Sequence, residues 1–209
     1  MKYPVSLALF DYVPVVFNLA GQLLLLSALQ IDAVAMWAMA LLGVILMNLG
    51  GILKASWKLI IAVSERDFRW MEHALFLGLA PGSCLLAWAV WDTQRVMSGA
   101  SSNDGWLPCL LIIAVFLAWS ARKFGGAGKW FMPLVLLLTV SMGVINFNAS
   151  LIAKNQGANL AAVLFILSFG ISLVTSAVSR KVATIKVQWL METANSLSAF
   201  CFLSAAWLL

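Results

Sequence analysis

Only one histidine occurs in the chain, His73, and it follows Glu72 at the start of a long apolar stretch. A single imidazole cannot form the histidine cluster of an intramembrane metallohydrolase, and no Cys or carboxylate cluster replaces it. No metal site and no cofactor are therefore expected. No motif places a serine to use His73 as its base, and neither a P-loop nor a dinucleotide fingerprint is present. The three cysteines, Cys84, Cys109 and Cys201, lack CxxC spacing and lie in apolar sequence, so they read as buried small hydrophobes.

Two kinds of polar chemistry remain. Asp11, Lys54, Lys58, Arg69, Glu72, His73 and Glu192 fall near the same edge of the apolar stretches, where ion pairs among them would form a cytoplasmic gate. The segment 64–73 alternates in sign and otherwise reads as a solvated loop. Lys54 and Lys58 stand one turn apart and can snorkel toward headgroups. For a buried Asp11 or Glu192, the expected partner is Lys54, Lys58 or Arg69.

The second kind is neutral. Asn18 and Gln22 are four residues apart and share a helix face, while Asn48 and Asn195 fall at mid-depth of other apolar stretches, as do Asn146 and Asn148. Burying an amide without a partner costs about 1–3 kcal/mol. These groups must then point inward, either bridging helices, at about 0.6 kcal/mol each, or lining a polar path. Asn18, Gln22, Asn48 and Asn195 are the candidate substrate-binding set. With few charges at mid-depth, the ligand they suit is neutral or zwitterionic.

The elements that carry these groups are membrane spans. Of 209 residues, 63% are hydrophobic and only 10% charged, against about 25% charged in soluble domains. That excludes a soluble enzyme, a disordered chain and a secreted disulfide scaffold. Stretches near the length of about 20 residues that a spanning helix needs lie at about 8–29, 34–62, 73–92, 106–121, 131–153, 159–179 and 186–209. Seven spans in one all-α transmembrane domain, 1–209, are expected. The first is read as retained, since it runs beyond a signal-sequence core and lacks a small-residue cleavage site.

Orientation follows from the basic residues. An inner N-terminus puts Lys2, Lys54, Lys58, Arg66, Arg69, Arg122, Lys123, Lys129, Arg180, Lys181 and Lys186 on the cytoplasmic side, leaving Arg95 and Lys154 outside. The tryptophans agree, because Trp57, Trp70, Trp119, Trp130 and Trp189 fall at inner edges and Trp37, Trp88, Trp91, Trp106 and Trp207 at outer ones. A bacterial cytoplasmic membrane is the expected location. The net charge of +5 reflects this bias; no basic run is interleaved with aromatics, and no nucleic-acid partner is expected.

Residues 10–90 laid over 129–209 match Pro14 with Pro133, Gly51-Ile52 with Gly170-Ile171, Trp70 with Trp189 and Trp88 with Trp207. A 3+1+3 parallel repeat with a linker helix at 106–121 would produce this. The plan is similar to the architecture of the SWEET sugar transporters in span count and symmetry alone. No sequence motif of that family is present and the inferred orientation is opposite, so no residue role is carried over. Gly50-Gly51 and Pro81-Gly82 are read as close-packing or kink sites, and Pro14 and Pro133 as early-turn prolines.

Three functions fit these expectations. The first is a small transporter whose path lies between the two three-helix halves. The second is a membrane sensor or accessory subunit, packed against a membrane-protein partner or its own copy. The third is a lipid-modifying enzyme centred on Glu72, His73 and Glu192 at the inner interface. Beyond the bilayer, the partner expected for the first is a small polar ligand.

Overall fold

A computed structural model describes residues 4–29, 31, 33–64, 66–102, 105, 107–124, 129–178 and 184–209. Lys2, Trp106, Arg180, Lys181 and residues 125–128 lie outside the described residues. All regular structure among those described is helical: α1 (Val5–Phe10), α2 (Tyr12–Ala28), α3 (Val34–Ser64), α4 (Arg69–Met97), α5 (Leu107–Lys123), α6 (Met132–Asn155), α7 (Asn159–Val178) and α8 (Ile185–Trp207).

α1 and α2 are one apolar segment interrupted at Asp11. The cause is Pro14, which has no N–H to give the Phe10 carbonyl and whose ring crowds it. Asp11 keeps helical dihedrals and its N–H still reaches Leu7, so the chain bends without reversing. Pro133, by contrast, sits in the first turn of α6, where a missing donor costs little. α4 and α6 both end in a left-handed glycine, Gly99 at φ 88° and Gly157 at φ 80°. In each, the next two N–H groups turn back onto the last carbonyls: Gly99 to Val96 and Ala100 to Arg95, Gly157 to Lys154 and Ala158 to Ala153. This closure satisfies helix-end carbonyls that hydrocarbon would leave bare.

Six of the helices form a closed ring. α2 packs on α3, α3 on α4, α4 on α6, α6 on α7, α7 on α8, and α8 returns to α2. α5 stands outside it, against α4 and α6. The closest approach is α3 to α4, along facing glycines. A Cβ on Gly43 would lie 2.6 Å from the Gly82 carbonyl, one on Gly78 2.5 Å from the Leu46 carbonyl, and one on Gly50 2.9 Å from the Leu75 carbonyl. Gly21 lets α2 approach Phe202 and Leu203 of α8 in the same way. Lipid tails are as apolar as leucine, so close van der Waals contact between backbones holds such helices together.

The sidedness of the fold is that of a protein in lipid. Leu9, Val16 and Leu23 of α1–α2, Leu136 and Val140 of α6, and Leu190 and Leu197 of α8 face outward, while Asp11, Gln22, Asn48, Lys58, Glu192 and Ser198 are buried. Five segments are long and apolar enough to cross a membrane: Val5–Ala28, Val34–Ser64, Arg69–Met97, Met132–Asn155 and Asn159–Ser176. α5 and α8 are not among them. α5 has only 17 residues, and α8 carries Lys186, Glu192, Asn195 and several serines, which lower its average hydropathy.

One half of the ring is filled. Leu25, Leu29, Val44, Leu86, Val90, Ile145, Ile152, Phe165 and Phe202 form a continuous core against which Ile31, Ala33 and Ala158 pack. Phe165 of α7 and Phe202 of α8 meet edge to face at 5.4 Å.

The glycine seam gives a direct test. In Gly82→Ala the new Cβ would meet the Gly43 carbonyl at 2.6 Å and Met47 Cγ at 2.8 Å, an overpacking expected to cost about 1–3 kcal/mol. Gly170→Ala, with nothing within 4 Å of its Cβ, should be neutral or slightly stabilising. Thermal unfolding in detergent checks the pair; equal midpoints would mean the seam does not hold α3 to α4.

Candidate functional site

The other half of the ring is not filled. A cavity of about 390 Å³ lies there, walled by α2, α3 and α4 from one side and α6, α7 and α8 from the other. At its end near the 66–68 loop stands a buried ion triad. The Lys58 ammonium contacts Asp11 Oδ2 at the α1–α2 break and Glu192 Oε1 of α8, the latter at 2.8 Å. All three are buried, at 6%, 6% and 9% exposure. One cation thus ties three segments from opposite ends of the chain. Isolated, any of these charges would be prohibitive in so dry a place.

The amides lie deeper and play different parts. Asn48 Nδ2 donates to Gln22 Oε1 at 2.7 Å and to the Val44 carbonyl at 2.8 Å, clamping α3 to α2. Gln22 Nε2 in turn points at the Met47 sulfur, 3.7 Å away. Asn195 Nδ2 donates to Glu192 Oε2 at 3.2 Å, which extends the triad along α8. Asn18 has no hydrogen-bond partner among the described residues. All four line the cavity. Asn146 and Asn148 do not; each turns its Nδ2 onto the carbonyl four residues back in α6, at 2.8 Å.

Opposite the amides, Ser198 Oγ of α8 donates to the Ser168 carbonyl of α7 and sits 2.8 Å from Ser172 Oγ. These serines were not singled out from the sequence, although Ser168, Ser172 and Ser176 recur every four residues and so mark one face of α7. The wall from α4 and α6 is mostly apolar, made of Leu75, Phe76 and Leu79 with Val135, Leu138 and Met142, and its one hydroxyl, on Thr139, donates to the Val135 carbonyl. Phe76 stacks on Phe131, rings 11° from parallel and 5.3 Å apart, and links those two elements.

The charged group expected at the gate divides. Asp11, Lys58 and Glu192 converge and Lys54 lines the cavity beside them, but Arg69, Glu72 and His73 do not join the triad. Arg69 Nε pairs with Asp67 at 3.2 Å on the exposed loop. Glu72 is exposed. His73 packs its ring edge to face on Trp130 at 5.1 Å. Glu72, His73 and Glu192 make no hydrogen bond or ion pair with one another. On that loop the Asp67 carboxyl is held below the usual carboxylate range, first by the Trp57 indole N–H at 2.9 Å and then by Arg69. The tie from loop to α3 is complete above the ordinary carboxyl range and is lost as pH falls through the lowered value.

Sequence reasoning also passed over the pairing of two cysteines. Cys84 and Cys109 are both buried with their sulfurs 3.8 Å apart, and they pin α5 to α4. Among the described residues no group of His, Cys, Asp or Glu could hold a metal ion. The chain matches no family model, no curated protein and no solved structure.

Removing the central cation should expose how far the bundle depends on it. Lys58→Met leaves two buried carboxylates facing each other, a loss expected at about 3–5 kcal/mol. The quadruple variant Asp11→Asn, Lys54→Met, Lys58→Met, Glu192→Gln, which removes the neighbouring Lys54 charge with those of the triad, should recover most of it. Unfolding midpoints in detergent decide this; a Lys58→Met protein as stable as the parent would show the triad to be incidental.

Proposed function

We propose that the chain is a seven-span transporter of a neutral or zwitterionic small molecule in a bacterial cytoplasmic membrane, with its N-terminus inside. α5 and α8 complete the set of spans, α5 serving as the linker between halves 10–90 and 129–209. The observation that carries this reading is the cavity of about 390 Å³ between those halves, at the low end of the usual size for small-molecule sites. Apolar spans have no structural need for a void lined by amides, hydroxyls and charges. The cyclic helix order also supports a repeat, because exchanging α2–α3–α4 for α6–α7–α8 returns the same set of neighbours.

In this orientation the triad lies at the inner end and the apolar core closes the outer half. The cavity is then the inward-facing state of an alternating-access cycle, in which the halves rock about a central site. The outer core supplies the seal, and contacts between the halves, such as Phe202 of α8 against Gly21 of α2, must part for the outward state.

Two measurements test it. Replacing Asn18, Gln22, Asn48 and Asn195 together by leucine removes the Gln22–Asn48 pair as a unit and leaves Glu192 its bond from Lys58, so the fold should survive. Uptake into proteoliposomes, screened over labelled neutral and zwitterionic metabolites, should be lost; unchanged uptake would sink the site assignment. In Asn18→Cys, with the native thiols buried, a membrane-impermeant maleimide should label inside-out vesicles and spare right-side-out ones. The reverse pattern would overturn the orientation.

A further inference from the structure

Two polar groups of opposite character stand in the cavity wall without a direct protein partner. Lys54 projects from α3 one turn before Lys58, on the same face, and lines the cavity. It lies within electrostatic reach of Asp11, Glu192, Glu72 and Lys58. Yet its ammonium makes no ion pair or hydrogen bond among the described residues, because Lys58 has taken both carboxylates of the triad. The second group is Asp11 Oδ1. The other oxygen of that carboxylate meets Lys58, while Oδ1 is buried with no hydrogen-bond partner among the described residues.

An ammonium only donates and a carboxylate oxygen only accepts. A complementary ligand must therefore carry an oxyanion for Lys54 and an N–H donor, best satisfied by a charged one, for Asp11. Asn18 lies two turns beyond Asp11 and offers both a neutral donor and an acceptor. The wall of Phe76, Leu79, Val135 and Leu138 is apolar but for Thr139, whose hydroxyl donates to the Val135 carbonyl, and it suits an apolar substituent.

Building on the transport reading above, we infer that the cavity takes a zwitterion with an apolar body, its oxyanion on Lys54, its ammonium on Asp11 Oδ1 and its apolar part against α4 and α6. The site itself holds two lysines and two carboxylates, so a ligand of zero net charge leaves its charge balanced. A free amino acid with an apolar side chain and a phosphatidylethanolamine present the same chemistry.

The test uses the full chain in detergent, with ligand binding read from the thermal unfolding midpoint. Leucine is compared with leucinol, which lacks the carboxylate, and with 4-methylpentanoate, which lacks the ammonium. Phosphatidylethanolamine is compared with phosphatidylglycerol. Leucine should bind at least about tenfold more tightly than either truncated analogue, the effect of one charge-assisted hydrogen bond. Lys54→Met should reduce leucine to the level of leucinol and leave leucinol unchanged, and Lys54→Arg should keep the discrimination. If the lipid is the source, phosphatidylethanolamine gives the stabilisation instead of leucine, again lost in Lys54→Met. Equal binding of leucine and leucinol with no preference for phosphatidylethanolamine overturns the inference. So does discrimination that survives Lys54→Met, or no response to leucine or to phosphatidylethanolamine. None of these outcomes touches the cavity as a transport path, which stands or falls on the four-amide variant.

Discussion

A lysine buried between two carboxylates is the constraint around which this bundle is arranged. Lys58 lies on α3, Asp11 on the break between α1 and α2, and Glu192 on α8. None of these charges is tolerable alone in a low-dielectric interior, so each segment is held where the others need it. The proline that causes the break is part of the same device. Without Pro14 the Phe10 carbonyl would keep its helical partner, and the first segment would run on without a break at Asp11. Mutual need of this kind is a source of specificity more than of stability, since a well-packed apolar trio would hold the helices as well.

Packing in the rest of the ring divides along its length. Where glycines face each other, α3 and α4 approach at backbone distance, and Gly21 does the same for α2 against α8. Toward the other end leucine, isoleucine, valine and phenylalanine fill the ring completely. The half that holds the triad is the one left with a cavity. A dense apolar plug at one end and a polar cavity at the other make an asymmetric bundle, which a purely structural subunit would not require. Within the cavity the polar groups are also unequal. Gln22 and Asn48 satisfy each other, Asn195 serves Glu192, and Asn18, Lys54 and Asp11 Oδ1 are left without a hydrogen-bond partner among the described residues.

The residues at the loop before α4 have a different role from the triad, though they resemble it in composition. Asp67 is shared by the Trp57 indole and Arg69, which fastens the loop to the end of α3. His73 packs on Trp130 and so belongs to an aromatic cluster that also includes Phe124 and Phe131. Charge density in the sequence is greatest here, yet the energetically demanding charges are the three that are scattered through the chain.

Composition and hydropathy by themselves determined that this is a helical membrane protein, because unbroken apolar runs of this length satisfy their backbone in lipid as helices, whereas barrel strands alternate in polarity. Spacing along single helices was equally legible: it put Asn18 and Gln22 on one face, Lys54 and Lys58 on another, and identified Gly50 and Gly82 as places where a helix bends or packs closely. It also named Lys58 among the partners that a buried Asp11 or Glu192 would need. What periodicity cannot express is which faces meet. That Lys58 takes both carboxylates and leaves Lys54 free, that Asn48 closes on Gln22 while Asn18 stays open, that Cys84 meets Cys109, and that Arg69 and His73 stand apart from the triad were all decided by tertiary packing. The physical reason is that hydropathy is a property of each helix against lipid, whereas partner choice depends on helix rotation and distance, which close glycine contacts and the pairing of buried charges set together.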